Sequence, residues 1–328
     1  MLKKIGSLAA RYSTAIKICI AVCLLVWFIV HSDMRKILGA FHSLSFRTCL
    51  FVIVIDMAAI TVSAMKWNLL LPRYSLAVLI NLGMIGRFYS LVLPGQIAGE
   101  VVKSFRLAQG KKNGSQIALS VIVDRITGTI GIFIVGVAGL FLSNKRIPWF
   151  VPVIVLLLIF FGVCVLFSIM IPFLYRAVMN IINAAAKKHS LIRKNIRQLV
   201  TFIEAWRTYG KRWEIIIFNI LLGVVFQCLG ICMVMLFASD FGIVLSCFDW
   251  CLVLSGVTIV LLLPITIGGI GVREASIVGF LAWFGVQNEY ALALSFAIFG
   301  LQILDAAAGG IIDVVIHGAR IKLAEKGR

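Results

Sequence analysis

Long apolar stretches alternate with short polar ones along most of the chain. Six of these stretches have about 20 residues or more, the length that an α-helix needs to cross a bilayer. The runs are continuous, whereas a strand of a membrane barrel alternates apolar and polar positions. The pattern therefore predicts an all-α, polytopic helical membrane protein, with crossings at about 14–31, 46–66, 117–142, 149–171, 213–238 and 289–316.

Two further apolar stretches, at about 75–93 and 247–263, are each followed by a segment rich in Pro and Gly, called here a Pro-Gly segment. The first segment reads Leu-Pro-Gly-Gln-Ile-Ala-Gly-Glu and ends at Glu100. The second reads Pro-Ile-Thr-Ile-Gly-Gly-Ile-Gly-Val-Arg-Glu and ends at Glu274. Because Pro and Gly interrupt helices, both stretches are expected to be broken or re-entrant helical elements. Paired interruptions in two halves of a chain point to the binding site of a transporter.

The positions of Lys and Arg set the expected orientation. With a cytoplasmic N-terminus, 24 of the 31 basic residues fall in inside segments and five fall in outside loops, in agreement with the positive-inside rule. Both termini are then cytoplasmic, and the two broken elements dip from opposite sides. We predict one membrane domain with an inverted-topology repeat, formed by 1–145 and 146–328, and a basic cytoplasmic helical segment at 173–212.

Composition and charge narrow the expected partners. Hydrophobic residues make up 62% of the 328 residues and charged residues 13%, whereas a soluble domain is nearer to half apolar and a quarter charged. The net charge is +18, and most basic residues flank the apolar spans on one side. This distribution favours anionic inner-leaflet lipids over nucleic acid as the binding partner. We expect the inner (cytoplasmic) membrane as the location and no nucleic-acid partner.

Charged residues inside the predicted crossings are the first candidates for function, because such residues usually face a bundle interior or a wet cavity. Asp56 and Asp305 fall near the middle of their helices. Their role is either coupling of transport to protons or helix packing, and the sequence leaves both alternatives open. Asp124 and Arg125 are adjacent in the third crossing. Asp313 lies close to the inner end of the last crossing, and we expect it to reach water.

The broken elements supply a physical device for binding an anion. A half-helix that begins inside the bilayer exposes backbone N–H groups, and its dipole favours negative charge. Glycines would let a phosphate approach closely, basic side chains would neutralise it, and the glutamates would orient these cations or exchange protons. Close helix packing through small residues is the alternative. The expected substrate-binding residues are Pro94, Gly95, Gly99, Glu100, Lys103, Asp124, Arg125, Pro264, Gly268, Gly269, Gly271, Arg273 and Glu274.

Motifs of soluble enzymes are missing from the sequence. It has no His-x-x-x-His metal pair, no Gly-x-Ser-x-Gly elbow and no phosphate-binding P-loop. We expect no catalytic residue, no metal and no cofactor.

At its two broken elements the chain resembles the flippase-like membrane family named after the transmembrane region of lysylphosphatidylglycerol synthase. Members carry a motif like Leu-Pro-Gly-Ser-Ile-Gly-Gly-Asp-x-x-Arg. This chain matches it from Leu93, with Ala98 for Gly, Glu100 for Asp and Lys103 for Arg. Lys keeps the charge but lacks the planar fork of Arg.

Two further family motifs match. Members carry Asp-Arg followed by Gly in the next helix, here Asp124, Arg125 and Gly128. They also carry Pro-Ile-Ser-Ile-Gly-Gly-x-Gly-Val-Arg-Glu, here Pro264 to Glu274 with Thr for Ser. The third motif is the most specific, and the resemblance covers essentially the whole chain.

The resemblance implies a lipid flippase or transporter. Its substrate would be a phospholipid or a polyprenyl-phosphate-linked sugar with an anionic headgroup, and a glycosyltransferase or lipid synthase could act beside it. Two alternatives stay open at this point. One is an integral membrane transferase that acts on a lipid phosphate, and the other is a membrane scaffold for an envelope or glycolipid synthase.

Cysteine labelling in vesicles of known orientation tests the opposed broken elements. In a variant without native cysteines, Gln96→Cys should react with an impermeant thiol reagent from the cytoplasmic side. Ile270→Cys should react from the outside, with Lys36→Cys as the control for that side. Labelling of both broken elements from the same side would contradict the inverted arrangement.

Overall fold

The computed structural model describes residues 33–93, 98–109, 114–143, 212–262, 266 and 268–326, together with positions 176, 179, 180 and 200. Over these ranges the chain forms nine helices and no strand, as the sequence predicts. They are α1 (Met34–His42), α2 (Phe46–Leu70), α3 (Leu76–Val92), α4 (Ala98–Ala108), α5 (Gly114–Leu142), α6 (Trp213–Asp240), α7 (Cys247–Leu261), α8 (Val272–Trp283) and α9 (Asn288–Lys326).

Four of these helices are long and apolar enough to cross a membrane. They are α2, α6, Gln116–Leu142 within α5 and Asn288–Ile316 within α9, and they coincide with four of the six predicted crossings. The chain is thus a multi-pass membrane protein. The predicted crossings at 14–31 and 149–171 lie outside the described residues, as does almost all of the predicted cytoplasmic segment at 173–212.

Side-chain caps explain where several helices begin. The hydroxyl of Ser45 accepts the N–H of Arg47 at 3.2 Å at the start of α2. At the start of α7, Ser246 accepts the N–H of Asp249 at 3.2 Å, and Asp249 accepts the N–H of Ser246 at 3.2 Å. Such caps satisfy N–H groups that have no partner within the helix. The short helix α1, which the apolar pattern does not predict, begins in the same way at Asp33.

The two predicted broken elements are two pairs of short helices. The first pair is α3, with 17 residues, and α4, with 11. The second pair is α7, with 15 residues, and α8, with 12. At 1.5 Å per residue, none of the four is longer than about 26 Å, which is less than the roughly 30 Å of a hydrocarbon core. In both pairs the first helix ends and the second begins around the Pro-Gly segment.

The two pairs start from opposite ends of the bundle, because α2 and α6 run antiparallel. The carboxylate of Asp240, at the end of α6, accepts the N–H of Ser45 just before α2, at 2.8 Å. Asn219, near the start of α6, donates to the carbonyl of Lys66 near the end of α2, at 2.7 Å. Since α3 follows the end of α2 and α7 follows the end of α6, the pairs begin at opposite ends.

Each pair also returns to the end from which it started. The C-terminal end of α5 lies beside the start of α7, where Ser143 donates to Asp249. The N-terminal end of α5, to which α4 leads, is therefore at the opposite end of the bundle, where α3 began. The start of α9 lies beside α1, where Lys36 and Glu289 are 3.3 Å apart, so α8 leads back to the end where α7 began. Re-entry into a bilayer stays a prediction.

The packing of the two halves corresponds helix by helix. In the first half α3 packs on α4, and in the second half α7 packs on α8. Across the halves, α3 packs on α9 as α7 packs on α5. An inverted repeat that pairs α2–α5 with α6–α9 requires this correspondence, although the repeat and its boundary at residue 145 stay predictions.

Glycine makes the close contact between α3 and α9 possible. A side chain added at Gly309 of α9 would collide with the backbone carbonyl of Met84 on α3. A side chain added at Gly300, about two and a half turns earlier on the same helix, would meet nothing within 4 Å. The two glycines therefore form a matched pair for testing this helix contact.

We expect Gly309→Ala to destabilise the protein by about 1–3 kcal/mol, because the added methyl overpacks a backbone contact. The thermal unfolding midpoint in detergent measures this effect. Gly300→Ala should leave the midpoint unchanged or raise it slightly, because alanine is the better helix former. Equal midpoints for the two variants would show that α3 and α9 do not pack as described.

Candidate functional site

A cavity of about 440 Å³ lies inside the bundle, where α2, α3, α5, α6, α7, α8 and α9 meet. Leucine, isoleucine, methionine, phenylalanine and alanine side chains form its apolar wall. Its polar wall carries three guanidinium groups and two carboxylates. The polar residues that line it are Asp56, Arg87, Ser90, Arg125, Arg273, Gln302 and Asp305.

Arg273, on the second broken element, is the most firmly held of the three arginines. Its side chain is 3% exposed. Nη2 and Nε donate to the carboxylate of Glu274 at 2.7 and 3.1 Å, and Nη1 donates to Gln302 at 2.7 Å. The guanidinium also lies 4.5 Å from the ring centroid of Phe299. These contacts fix the cation in the cavity wall before any ligand binds.

The start of α8 already holds a carboxylate. The N–H of Gly271 donates to Glu274 at 2.6 Å, and the N–H of Arg273 donates to the carbonyl of Gly269 at 2.8 Å. The sequence predicts that such N–H groups are free for a substrate anion, but here they have partners within the protein. Glu274 supplies the negative charge that the helix dipole favours. Arg273 is the side-chain donor that this element contributes to the cavity.

The glycines of the second broken element are required by its turn. Gly268, Gly269 and Gly271 have φ values of 61°, 75° and 82°, a region that other residues rarely adopt. Gly268 lines the cavity, as predicted for a binding-site residue. The backbone conformation by itself accounts for the choice of glycine at all three positions.

Gly99, in the first broken element, serves close packing. A side chain at this position would collide with the carbonyl of Gly86 and the hydroxyl of Ser90 on α3. The helix-packing alternative for the glycines therefore holds at Gly99, which lies against α3 rather than in the main cavity. Pro94, Gly95 and Pro264 lie outside the described residues.

Glu100 connects the first broken element to the main cavity. Its carboxylate lies 2.6 Å from Nζ of Lys103 and 3.6 Å from Nη2 of Arg125. Lys103 in turn lies 4.6 Å from the ring centroid of Trp67. Glu100 and Lys103 line a smaller cavity of about 190 Å³. This second cavity shares Arg87, Ser90 and Phe226 with the main one.

Arg87 is a cavity residue that the sequence analysis missed. Its Nη1 lies 3.1 Å and 3.3 Å from the two carboxylate oxygens of Asp56 and also contacts the carboxylate of Asp305. Two acids, from α2 and α9, thus meet at one nitrogen of α3. The signal for it in the sequence is a lone Arg within an apolar stretch, which the positive-inside rule alone places in a cytoplasmic segment.

The other intramembrane acids have cationic partners away from the main cavity. Asp124 lies 3.3 Å from Nζ of Lys66. Asp313 is buried and accepts hydrogen bonds from Arg106 at 2.8 Å and from the hydroxyl of Tyr89 at 3.0 Å. The expectation that Asp313 reaches water is therefore wrong, because an α4 arginine compensates its charge inside the bundle.

Four basic residues of the predicted inside segments make ion pairs within the helical bundle. Removing them from the count leaves 20 inside residues against five outside, so the asymmetry persists, while the orientation itself stays a prediction. The four are Lys66, Arg87, Lys103 and Arg106.

Comparisons with known proteins identify the family. The model of the family described as lysylphosphatidylglycerol synthase TM region matches residues 14–309, a range that includes both broken elements and every helix from α1 to most of α9. A search of curated proteins finds no match, and neither does a search of solved structures. Because the family match covers most of the 328 residues, the chain belongs to the lysylphosphatidylglycerol synthase TM region family.

Proposed function

We propose that this protein transports a lipid with an anionic headgroup across the cytoplasmic membrane, without changing the lipid chemically. Membership of a family of membrane proteins in lipid-related processes supports a lipid substrate. The observation that carries the proposal is the internal cavity, which three arginines from three different helices line. Guanidinium groups bind phosphate through parallel hydrogen bonds.

Arg125 and Arg273 have different parts in this proposal. Arg273 is buried and held by Glu274 and Gln302, so it would present a fixed donor to the phosphate. Arg125 is 43% exposed at its side chain, and its ion pair with Glu100 is long, at 3.6 Å. This exposed guanidinium would complete the phosphate site opposite the buried Arg273.

The size of the cavity restricts what enters it. About 440 Å³ lies at the lower end of the range for small-molecule sites, roughly 300–1,000 Å³. This volume suits a phosphate with a small polar substituent, as in a phospholipid headgroup or a phosphate-linked sugar. The acyl or prenyl chains would stay in the surrounding hydrocarbon, which avoids moving apolar chains through a polar cavity.

The opposed broken elements provide a route for alternating access. One pair of short helices begins and ends at one end of the bundle, and the second pair does so at the other end. A small movement of one pair would open the cavity to its own end while the second pair keeps the opposite end closed. We propose that the two pairs act in turn as gates.

The remaining parts of the proposal concern orientation and partners. We propose that both termini are cytoplasmic, so that α3 and α4 form the cytoplasmic gate. The basic residues near the termini would then face anionic inner-leaflet lipids. A glycosyltransferase or lipid synthase that supplies or uses the transported lipid is the proposed protein partner.

Reconstitution into liposomes tests transport. The purified protein should move a fluorescent phosphatidylglycerol between leaflets faster than protein-free liposomes do, as measured by quenching of the outer leaflet. We expect Arg125→Gln to slow this movement about 10- to 100-fold, because a charge-assisted hydrogen bond contributes roughly 1.5–3 kcal/mol. Arg125 is a cleaner target than Arg273, whose removal would leave the buried Glu274 without its cation.

The matched control is Arg47→Gln, which removes an exposed Arg of α2 outside the cavity and should leave the rate unchanged. Equal rates for Arg125→Gln and the wild-type protein would refute the role of Arg125. Mass spectrometry of the lipid after the assay checks that its mass is unchanged. A new lipid product would instead support an integral membrane transferase.

A further inference from the structure

Charges around the two cavities are balanced in the described part of the chain. The cations are Arg87, Lys103, Arg125 and Arg273, and each contacts at least one acid. The acids are Asp56, Glu100, Glu274 and Asp305. The adjoining pair of Lys66 and Asp124 is also balanced. Helices α6 and α7 contribute no titratable side chain to the main cavity, where they place Phe226, Gly230, Met233 and Leu261.

An anionic headgroup would disturb this balance. It would bring one negative charge into an interior where four acids already match four cations. An uncompensated charge in a low-dielectric interior is expensive. Neutralising one acid with a proton restores the balance at the smallest structural cost, because a proton needs no additional space in the cavity.

The four acids are not equally able to accept that proton. Glu274 is fixed by Arg273 and by the N–H of Gly271, and Glu100 lies between two cations, Lys103 and Arg125. Asp56 and Asp305 share a single cation, and both contact the same nitrogen, Nη1 of Arg87. Two carboxylates that share one cation carry one charge in excess. This pair is therefore the place where a proton relieves the most repulsion.

We propose that Asp56 and Asp305 form a proton-binding site, and that an anionic headgroup binds in the cavity together with one proton. The inference rests on the proposed function, since it takes the cavity to receive an anionic headgroup. The phosphate held by Arg125 and Arg273 would also reach Arg87, which would exchange one carboxylate for it. The released carboxylate would take up a proton from the bulk solvent, so that the proton's charge enters the cavity together with the headgroup. In the bound state the phosphate and one ionised Asp would share Arg87. In the unbound state two ionised Asp side chains share it, so the number of negative groups at Arg87 stays the same.

The site also joins elements that must move relative to one another. Asp56 lies on α2, Arg87 on α3 of the first broken element, and Asp305 on α9. Protonation of either acid weakens one of the contacts that hold α3 between α2 and α9. Uptake of the proton and release of this helix for gating would thus be the same event, which couples transport to the proton.

Calorimetric titration of the full chain in detergent tests the proton site. The probe is dihexanoyl-phosphatidylglycerol, whose phosphodiester keeps one charge between about pH 6 and pH 8, unlike a phosphate monoester. Titrations in two buffers with different ionisation enthalpies give the number of protons taken up. We expect an uptake approaching one proton in the wild-type protein, and a Kd that weakens by up to about tenfold per pH unit as the pH rises.

Single Asn variants of the pair sharpen the test. Asp56→Asn and Asp305→Asn each leave one carboxylate for Arg87, so binding should take up almost no proton and Kd should be nearly independent of pH. Asp313→Asn is the matched control, because Asp313 is also a buried α9 acid paired with an Arg, but lies outside the main cavity. It should keep the wild-type proton uptake.

The outcomes separate this inference from the proposed function. Binding of the probe by the wild-type protein without proton uptake would overturn the proton site and leave lipid transport intact. Full proton uptake in both Asn variants would overturn it as well. No binding at any pH would overturn the site and the proposed function together. The wild-type titrations decide the question even where a variant fails to fold.

Discussion

Charge compensation inside an apolar bundle is the constraint on which the rest of this structure depends. An ionised side chain buried between membrane helices costs several kcal/mol unless an opposite charge or hydrogen bonds accompany it. Asp56, Asp305 and Arg87 meet for this reason, as do Arg273 and Glu274. The first group ties α2, α3 and α9 together, and the hydrogen bond from Arg273 to Gln302 ties α8 to α9 at the same cavity. The same constraint couples these ion pairs to ligand binding, because an ionic ligand that enters the cavity would have to change which acids and cations are paired.

Interrupted helices are the second requirement of the architecture, and they create a problem of their own. A break in a membrane helix leaves backbone N–H and carbonyl groups without partners in that helix, and hydrocarbon cannot satisfy them. At α8 the protein solves this with Glu274, which accepts from Gly271 and holds Arg273 at the same time. One carboxylate therefore caps a half-helix and orients a cation of the cavity. An arrangement of this kind places a positive group deep in the bundle without an unpaired charge.

The sequence predicts the secondary structure well, because membrane helices depend on length and hydrophobicity that can be counted. Four crossings and both broken elements lie where the apolar pattern places them. Arg125, Arg273, Asp56 and Asp305 were candidate residues, and they line one cavity. The partners of these charges could not be predicted, since pairing depends on how helices rotate and pack.

Three residues have surroundings that the sequence does not reveal. The positive-inside rule alone places Arg87 in a cytoplasmic segment, whereas its carboxylate partners lie on two other helices of the bundle. The position of Asp313 near the inner end of its crossing predicts that it reaches water, but its partner, Arg106, lies on a different helix and keeps it buried. The glycine pattern predicts that Gly99 lets a phosphate approach, whereas the collision of an added side chain with Gly86 identifies a helix contact. Each depends on a tertiary neighbour more than ten residues away or across a break.

The central claim is that the cavity between the two broken elements receives an anionic lipid headgroup. Cryo-electron microscopy of the protein in nanodiscs that contain phosphatidylglycerol tests this most directly. The account predicts density for a headgroup in the cavity, with its phosphate in contact with Arg125 and Arg273 and its acyl chains directed into the bilayer. An empty cavity, with ordered lipid phosphates only on the outer surface of the bundle, would contradict it.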